Sequence, residues 1–298
     1  MLCLSRHCGK LRPAIWPEAR SRPRAEQGTM NPGYSAQQIE QAAAELLRQH
    51  QQNLRFGGLS APAPLPDADA AYRVQDAFVQ RKCEQLNTRT AGYKIALTTL
   101  AMQEMVGYRD SVSGRLLGAD LQHSQAQLHM SRYGRLAIEF EIAFEMKNDL
   151  PQTSSAWGHD IADHVLHAFP ALELIDDRQA DYGLLRQDIL TLVADNAWNA
   201  GLIMGEPIRG QDLHALDQAA GVALIDGQEV GRGTGRDVLG HPLTALAWLA
   251  NHLKARGLSL RRGEIITTGS LVKSQFPAAG NLVCFQLDGA AEVSARLL

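Results

Sequence analysis

The chain has 298 residues, 45% hydrophobic and 20% charged, with a formal net charge of −3. That is globular composition, which excludes a disordered, collagen-like or low-complexity protein, and the balance of charge gives no reason to expect nucleic acid or an anionic membrane as a partner. No apolar run approaches the ~18–20 residues that span a bilayer, and Cys3, Cys8, Cys83 and Cys284 form no Cys-x-x-Cys pair, so a soluble chain in a reducing, cytoplasmic compartment is expected.

Residues 1–29 carry six basic and two acidic residues and three prolines, Pro13, Pro17 and Pro23. The tail lacks the apolar stretch of a secretory signal, and its prolines spoil an amphipathic targeting helix. It is expected to be a disordered basic tail, with Met30 a better start. Residues 30–90 read as an N-terminal helical layer. Ser35-x-x-Gln38 is a capping-box pattern, and Ile39, Ala42, Ala43, Leu46 and Leu47 follow at helical spacing. Ala61-Pro-Ala-Pro-Leu-Pro66 breaks the chain, and Asp67 can cap a second helix that ends near Thr88.

Residues 91–298 read as a β-rich catalytic domain. Ala137–Met146 alternates cleanly, with Ile138, Phe140, Ile142, Phe144 and Met146 on one face and Glu139, Glu141 and Glu145 on the other. Ala171–Ile175 and Ile189–Ala194 are further predicted strands. Asp226-Gly227 and Asp288-Gly289 mark two hairpins. A helix starts at Pro242 and ends at Gly257. Strands and helices do not alternate regularly, which argues against a doubly wound sheet and for α+β with mixed or antiparallel sheets. Gly231-Arg-Gly-Thr-Gly235 completes no phosphate-binding motif and reads as a turn.

Glu139 and Glu141 stand at i and i+2 on one predicted strand, ~6.5–7 Å apart on the same face. Two carboxylates so placed suit one hard divalent cation if a third ligand closes the site; a solvated strand face continued by Glu145 is the competing reading. Glu173 lies in the apolar run Phe169–Ile175, where a charge needs a partner or a metal unless it faces solvent. Three carboxylates from two strands would suit Mg2+ or Mn2+. His164 and His167, three apart on a predicted helix, lack the further ligands of a zinc site. Lys94 sits in an apolar strand-like stretch, either as a buried lysine of lowered pKa that moves protons or as a snorkelling surface residue. Asp195-Asn-Ala-Trp-Asn199 and Thr267-Thr-Gly-Ser270 each place small polar groups at the end of a predicted strand, which suits substrate positioning and equally suits a plain turn. No Gly-x-Ser-x-Gly is present, so a serine hydrolase has no support.

In order and spacing, GYKIALTT, LAIEFEIAFEM, AFPALELIDDR, TLVADNAWNAG, GRGTGRDVLGHPLTALAWLA and GEIITTGSL resemble the fumarylacetoacetase superfamily. Within it they resemble the 2-keto-4-pentenoate hydratase / 4-oxalocrotonate decarboxylase branch, and the resemblance runs from about Ser35 to Leu298. It implies a mixed β-roll with N-terminal helices. It also implies Mg2+ or Mn2+ held by Glu139, Glu141 and Glu173, with Lys94 as the catalytic lysine and Asn196, Trp198, Thr268 and Ser270 lining the substrate pocket. The implied activity is hydration of 2-hydroxypenta-2,4-dienoate-type substrates in aromatic catabolism. A 2-oxo-acid decarboxylase, a C–C hydrolase of acylpyruvates, and a non-catalytic 2-oxo-acid binding or partner protein are the alternatives. A homo-oligomer is implied, with a complex with a decarboxylase as a further partner. Two departures bear on the reaction: Val112 stands about where these hydratases carry an Asp, and Trp198 where they carry a small Ser.

Overall fold

A computed structural model of the chain describes residues 34–298 apart from 209, 211 and 290. The basic tail and Met30 lie outside the described residues. Tyr34–Leu298 packs as one compact unit. Among the described residues no helix is long and apolar enough to cross a membrane.

Helix α1 (Ala36–Gln51) opens as its capping box dictates: Ser35 Oγ accepts the Gln38 N–H, and Gln38 Oε1 accepts the Ser35 N–H. Helix α2 (Ala68–Gln85) is capped by the Asp67 carboxylate, which accepts the Ala70 N–H. Strand β1 (Thr90–Ala96), the short α3 (Leu100–Val106), β2 (Val112–Leu117), β3 (Leu121–His123), β4 (Ala126–Leu128) and the long pair β5 (Leu136–Met146) and β6 (Val165–Asp176) follow. Then come α4 (Leu185–Ala194), β7 (Asn199–Met204), the hairpin β8 (Ala220–Ile225) and β9 (Gln228–Thr234), α5 (Pro242–Ala255), β10 (Ile265–Ser270), β11 (Leu282–Leu287) and β12 (Ala291–Leu297).

Seven strands form one mixed sheet in the order β2-β1-β10-β5-β6-β7-β3, and five form a second in the order β4-β12-β11-β8-β9. The expected α+β class with a mixed sheet system and N-terminal helices is what the chain adopts, the sheets being two. Ile138, Phe140, Ile142 and Phe144 project from one face of β5 into the core between the sheets, against Phe285, Val293, Leu246 and Leu249. Burying each such side chain stabilises the fold by about 1.5–3 kcal/mol. The opposite face of the seven-stranded sheet carries Leu116, Ala143, Phe169, Ala171, Leu202 and Ile265, also buried. Helices α1, α2 and α4 build a further core with Val112, Ile175 and Trp198. Neither face at the middle of β5 is therefore left to water, and a carboxylate there is buried whichever way it points.

Three local expectations are corrected. Ile189–Ala194 is helix, not strand: Leu185, Ile189, Leu192 and Val193 dock into the helical core, and a short apolar run does not reveal its period by itself. His164 ends a 3-10 turn and His167 lies in β6, so no helix joins them. Gly231–Thr234 is part of strand β9, paired with β8, rather than a turn.

Candidate metal centre

Strands β5 and β6 run antiparallel with Glu139 directly opposite Glu173. Cross-strand neighbours of this kind lie ~4.5–5.5 Å apart, and Glu141 follows two residues along the same face. The three carboxylates converge: one oxygen from each lies within 4.8 Å of the other two. Glu141 and Glu173 are fully buried, and Glu139 is half-buried.

Strand β10 lies between β1 and β5, parallel to the first and antiparallel to the second. That brings Lys94 of β1 to the same face. Its Nζ is 3.2 Å from Glu173 Oε1, and the residue is only 1% exposed, which excludes a snorkelling role. Opposite Lys94 on β2 stands Gly114, where a Cβ would come 2.6 Å from the Asn196 carbonyl oxygen and 3.1 Å from Lys94 Cγ. Only glycine leaves the lysine its course there.

Each carboxylate is fixed from outside. Asn199 Nδ2–H donates to Glu173 Oε1 at 2.9 Å, and the Thr267 hydroxyl donates to Glu173 Oε2 at 3.3 Å. Ser274 donates to Glu139 Oε1 at 2.7 Å. The β10–β5 register slips between Thr267 and Ser270, and Gly269, at φ 110°, turns its N–H onto Glu141 Oε2 at 2.7 Å. Glu141 Oε1 is buried with no partner among the described residues.

Full ionisation of the three carboxylates against one ammonium would leave two negative charges uncompensated. Burial pushes the Glu141 carboxyl well above the usual range, and Glu173 and Glu139 push further, against Lys94 and the Gly269 N–H. Burial likewise raises Glu173, with Lys94 opposing. For Lys94, burial alone would lower the ammonium, but Glu173, Glu139 and Glu141 outweigh it and the net shift is upward. The lowered pKa expected for a buried lysine is thus corrected by its neighbours. A largely buried, oxygen-only acidic set with an orphaned acceptor is the donor chemistry that a hard divalent cation requires. The residues fit such an ion.

The remaining expected residues are placed differently. Thr268 Oγ1 donates to the Ile142 carbonyl at 2.8 Å, on the face away from the carboxylates. Ser270 accepts the Phe140 N–H at 2.8 Å and donates to the Val272 carbonyl at 2.6 Å. Both hydroxyls brace the strand rather than meet the carboxylates. The Asn196 side chain accepts the Arg115 N–H at 2.6 Å and donates to the Arg115 carbonyl at 2.9 Å. The Trp198 ring packs edge-on to Phe56, centroids 4.9 Å apart, and near Tyr182 at 5.9 Å. Val112 is buried in the helical core and brings no carboxylate to this face. Asn199, Thr267 and Ser274, which hold the carboxylates, are not among the residues the sequence marks for the site. The first two sit inside segments already singled out, and alternation along β10 separates Thr267 from Thr268; nothing in the sequence marks Ser274.

No family model matches the chain. A 2-keto-4-pentenoate hydratase of Paraburkholderia xenovorans (strain LB400) is 33% identical over 240 residues, 79% of this chain and 86% of that protein. The chain belongs to the fumarylacetoacetate hydrolase-fold superfamily. Within the superfamily it falls in the 2-keto-4-pentenoate hydratase / 4-oxalocrotonate decarboxylase branch. A 4-oxalocrotonate decarboxylase of Pseudomonas putida is 31% identical over 230 residues, 76% of this chain and 84% of that protein. The structure of the 4-oxalocrotonate decarboxylase from Pseudomonas putida G7, complexed with magnesium and adipate, superposes with a TM-score of 0.79 at 26% identity, covering 89% of this chain and 98% of that one. The branch therefore includes a magnesium-bound member of the same fold.

Proposed function

We propose that the chain is a divalent-metal-dependent hydratase that adds water to 2-hydroxypenta-2,4-dienoate-type substrates. The observation that carries this reading is the buried Glu139–Glu141–Glu173 set with Lys94 beside it; the hydratase relative supports the choice of substrate class. Glu139, Glu141 and Glu173 would hold Mg2+ or Mn2+. When bound, the ion supplies positive charge against which enolate charge at the substrate's 2-oxygen is stabilised, an effect worth several kcal/mol.

The chain's own residues do the rest. Asn199 and Thr267 fix Glu173, Ser274 fixes Glu139, and the Gly269 N–H fixes Glu141. The Lys94 ammonium donates a proton from Nζ to the distal carbon and is reprotonated from the 2-hydroxyl as the dienol becomes an unsaturated 2-oxo acid. Water then adds across the double bond to give a 4-hydroxy-2-oxo acid. Burial of Lys94 and Glu141 keeps other water from that proton. Asn196, Thr268 and Ser270 shape the substrate site through the backbone they hydrogen-bond, and Trp198 through the ring it packs on Phe56.

Decarboxylation is the second reading, favoured by the magnesium-bound decarboxylase structure. The test follows loss of dienoate ultraviolet absorbance with and without EDTA, Mg2+ or Mn2+. Metal-independent turnover, or full activity in Glu141→Ala, would refute the site. Product mass separates the reactions: water gained for a hydratase, carbon dioxide lost for a decarboxylase, two acids for a C–C hydrolase. Binding without turnover would mark a non-catalytic protein.

A further inference from the structure

A buried ion-pair network lies beside the site and uses none of the groups assigned above. Asp195 is fully buried at the end of α4. One of its carboxylate oxygens accepts from His50 Nε2, on the last turn of α1, and the other accepts from Arg178 Nη2 at 2.5 Å. Burial alone would raise the Asp195 carboxyl, but His50 and Arg178 outweigh it and hold it below the usual range. The His50 ring is itself seated against Phe78 of α2, centroids 4.9 Å apart. Arg178 is 1% exposed, and its Nε and Nη1 have no partner among the described residues, so Asp195 is its anchor.

Immediately after Asp195 come three consecutive non-glycine residues in the left-handed region: Asn196, Ala197 and Trp198, at φ 57°, 47° and 59°. Each such residue is strained and persists only where its surroundings over-determine it. The turn has two products. It lays the Asn196 carbonyl against Gly114, beside Lys94. It also delivers Asn199 to Glu173. Whatever holds Asp195 holds the aim of Asn199.

We propose that His50, together with Arg178, is a positioning residue for the metal centre. By gripping Asp195 it keeps the left-handed turn wound and Asn199 on Glu173, and so ties the first helix to the site. This rests on the reading of the three carboxylates as metal ligands. The imidazole acts here as an N–H donor, so an amide donor of similar reach can replace it.

The experiment compares wild type, His50→Leu, His50→Gln, Asn199→Ala and the His50→Leu/Asn199→Ala double variant. His50→Met, also without a donor, takes the place of His50→Leu should that variant not fold. Hydrogen exchange is measured on the metal-free proteins and Mn2+ affinity by titration. In His50→Leu, amides of residues 195–201 are expected to exchange at least roughly tenfold faster, with β11 unchanged, and His50→Gln to restore the wild-type rate. Mn2+ affinity is expected to fall about 10–100-fold in both His50→Leu and Asn199→Ala, and no further in the double variant. Unchanged exchange in His50→Leu overturns the proposal. So does a loosened turn with Mn2+ affinity intact, or losses that add in the double variant. Wild-type protein that binds no Mn2+ refutes instead the reading of the carboxylates, while the exchange comparison still decides whether His50 holds the turn.

Discussion

Glu141→Gln should stabilise the metal-free protein and destabilise the metal-loaded one relative to wild type. Glu141 is fully buried; Oε2 has the Gly269 N–H and Oε1 has nothing among the described residues. Burial, then Glu173 and Glu139, push its carboxyl well above the usual range. A carboxyl raised in this way contributes stability that is fully present below its unfolded pKa of about 4.3, and that stability is lost as pH rises through the folded pKa. The amide is neutral throughout and escapes the loss. An unsatisfied buried polar group costs about 1–3 kcal/mol, and for a chain of this size each kcal/mol moves the melting temperature by about 2–4 °C. In EDTA at pH 8 the variant should therefore melt several degrees above wild type, and the gap should close as the pH is lowered towards 4. With Mn2+ at 100 times its dissociation constant, wild type gains about 2.7 kcal/mol. The variant has lost a charged ligand and gains less, so the order of the melting curves reverses. Thermal scans by circular dichroism across pH, with EDTA and with Mn2+, check both halves. A variant that melts below wild type in EDTA at pH 8 refutes the account of an unbalanced buried charge. Equal gains from Mn2+ refute Glu141 as a ligand.

Lys94→Met removes the ammonium that opposes a bound cation, so Mn2+ should bind at least as tightly by calorimetry while dienoate turnover falls by roughly 10²–10⁴; undiminished turnover rules out the lysine as proton carrier. Gly114→Ala places a Cβ 2.6 Å from the Asn196 carbonyl oxygen. It should cost about 1–3 kcal/mol in urea unfolding, with turnover reduced because Lys94 is displaced, and an unchanged midpoint would deny the close approach. Trp198→Ser empties a buried ring site between Phe56 and Tyr182. The expected loss approaches the ~3–5 kcal/mol of a large-to-small core change, and a loss near the scatter of surface substitutions, about 0.5 kcal/mol, would show that the ring is not integral to the helical core.

The parts of the fold that announced themselves are those with a strict period or a cap. The Ile138–Met146 alternation predicted β5, Ser35 and Gln38 predicted the start of α1, and Pro242 predicted α5. Ile189–Ala194 was illegible because its apolar side chains are enclosed by other helices, which erases the polar face that would show the period. The same limit applied to the site. That Glu139 and Glu141 share a face follows from their spacing, but that Glu173 meets them depends on a register set by the whole length of β5 and β6. Thr268 attracted attention as part of a Thr-Thr-Gly-Ser string, whereas strand alternation gives the neighbouring Thr267 to the carboxylates. Ser274 reaches Glu139 from a segment beyond β10 that has no periodic signature.

The place of β10 has a consequence for how the protein is made. Lys94 and Glu141 sit on β1 and β5, and the strand that lies between these two is the third-last in the chain. A chain emerging from the ribosome can pair β5 with β6, and so gather the three carboxylates, long before residues 265–270 exist to bring Lys94 to them and to supply the Gly269 and Thr267 contacts. Pairings between segments so far apart in sequence are slow to form. The lysine therefore joins the acidic set only when synthesis is nearly complete, and a product that stops short of β10 would carry every one of these charged residues with the acids gathered and no cation among them.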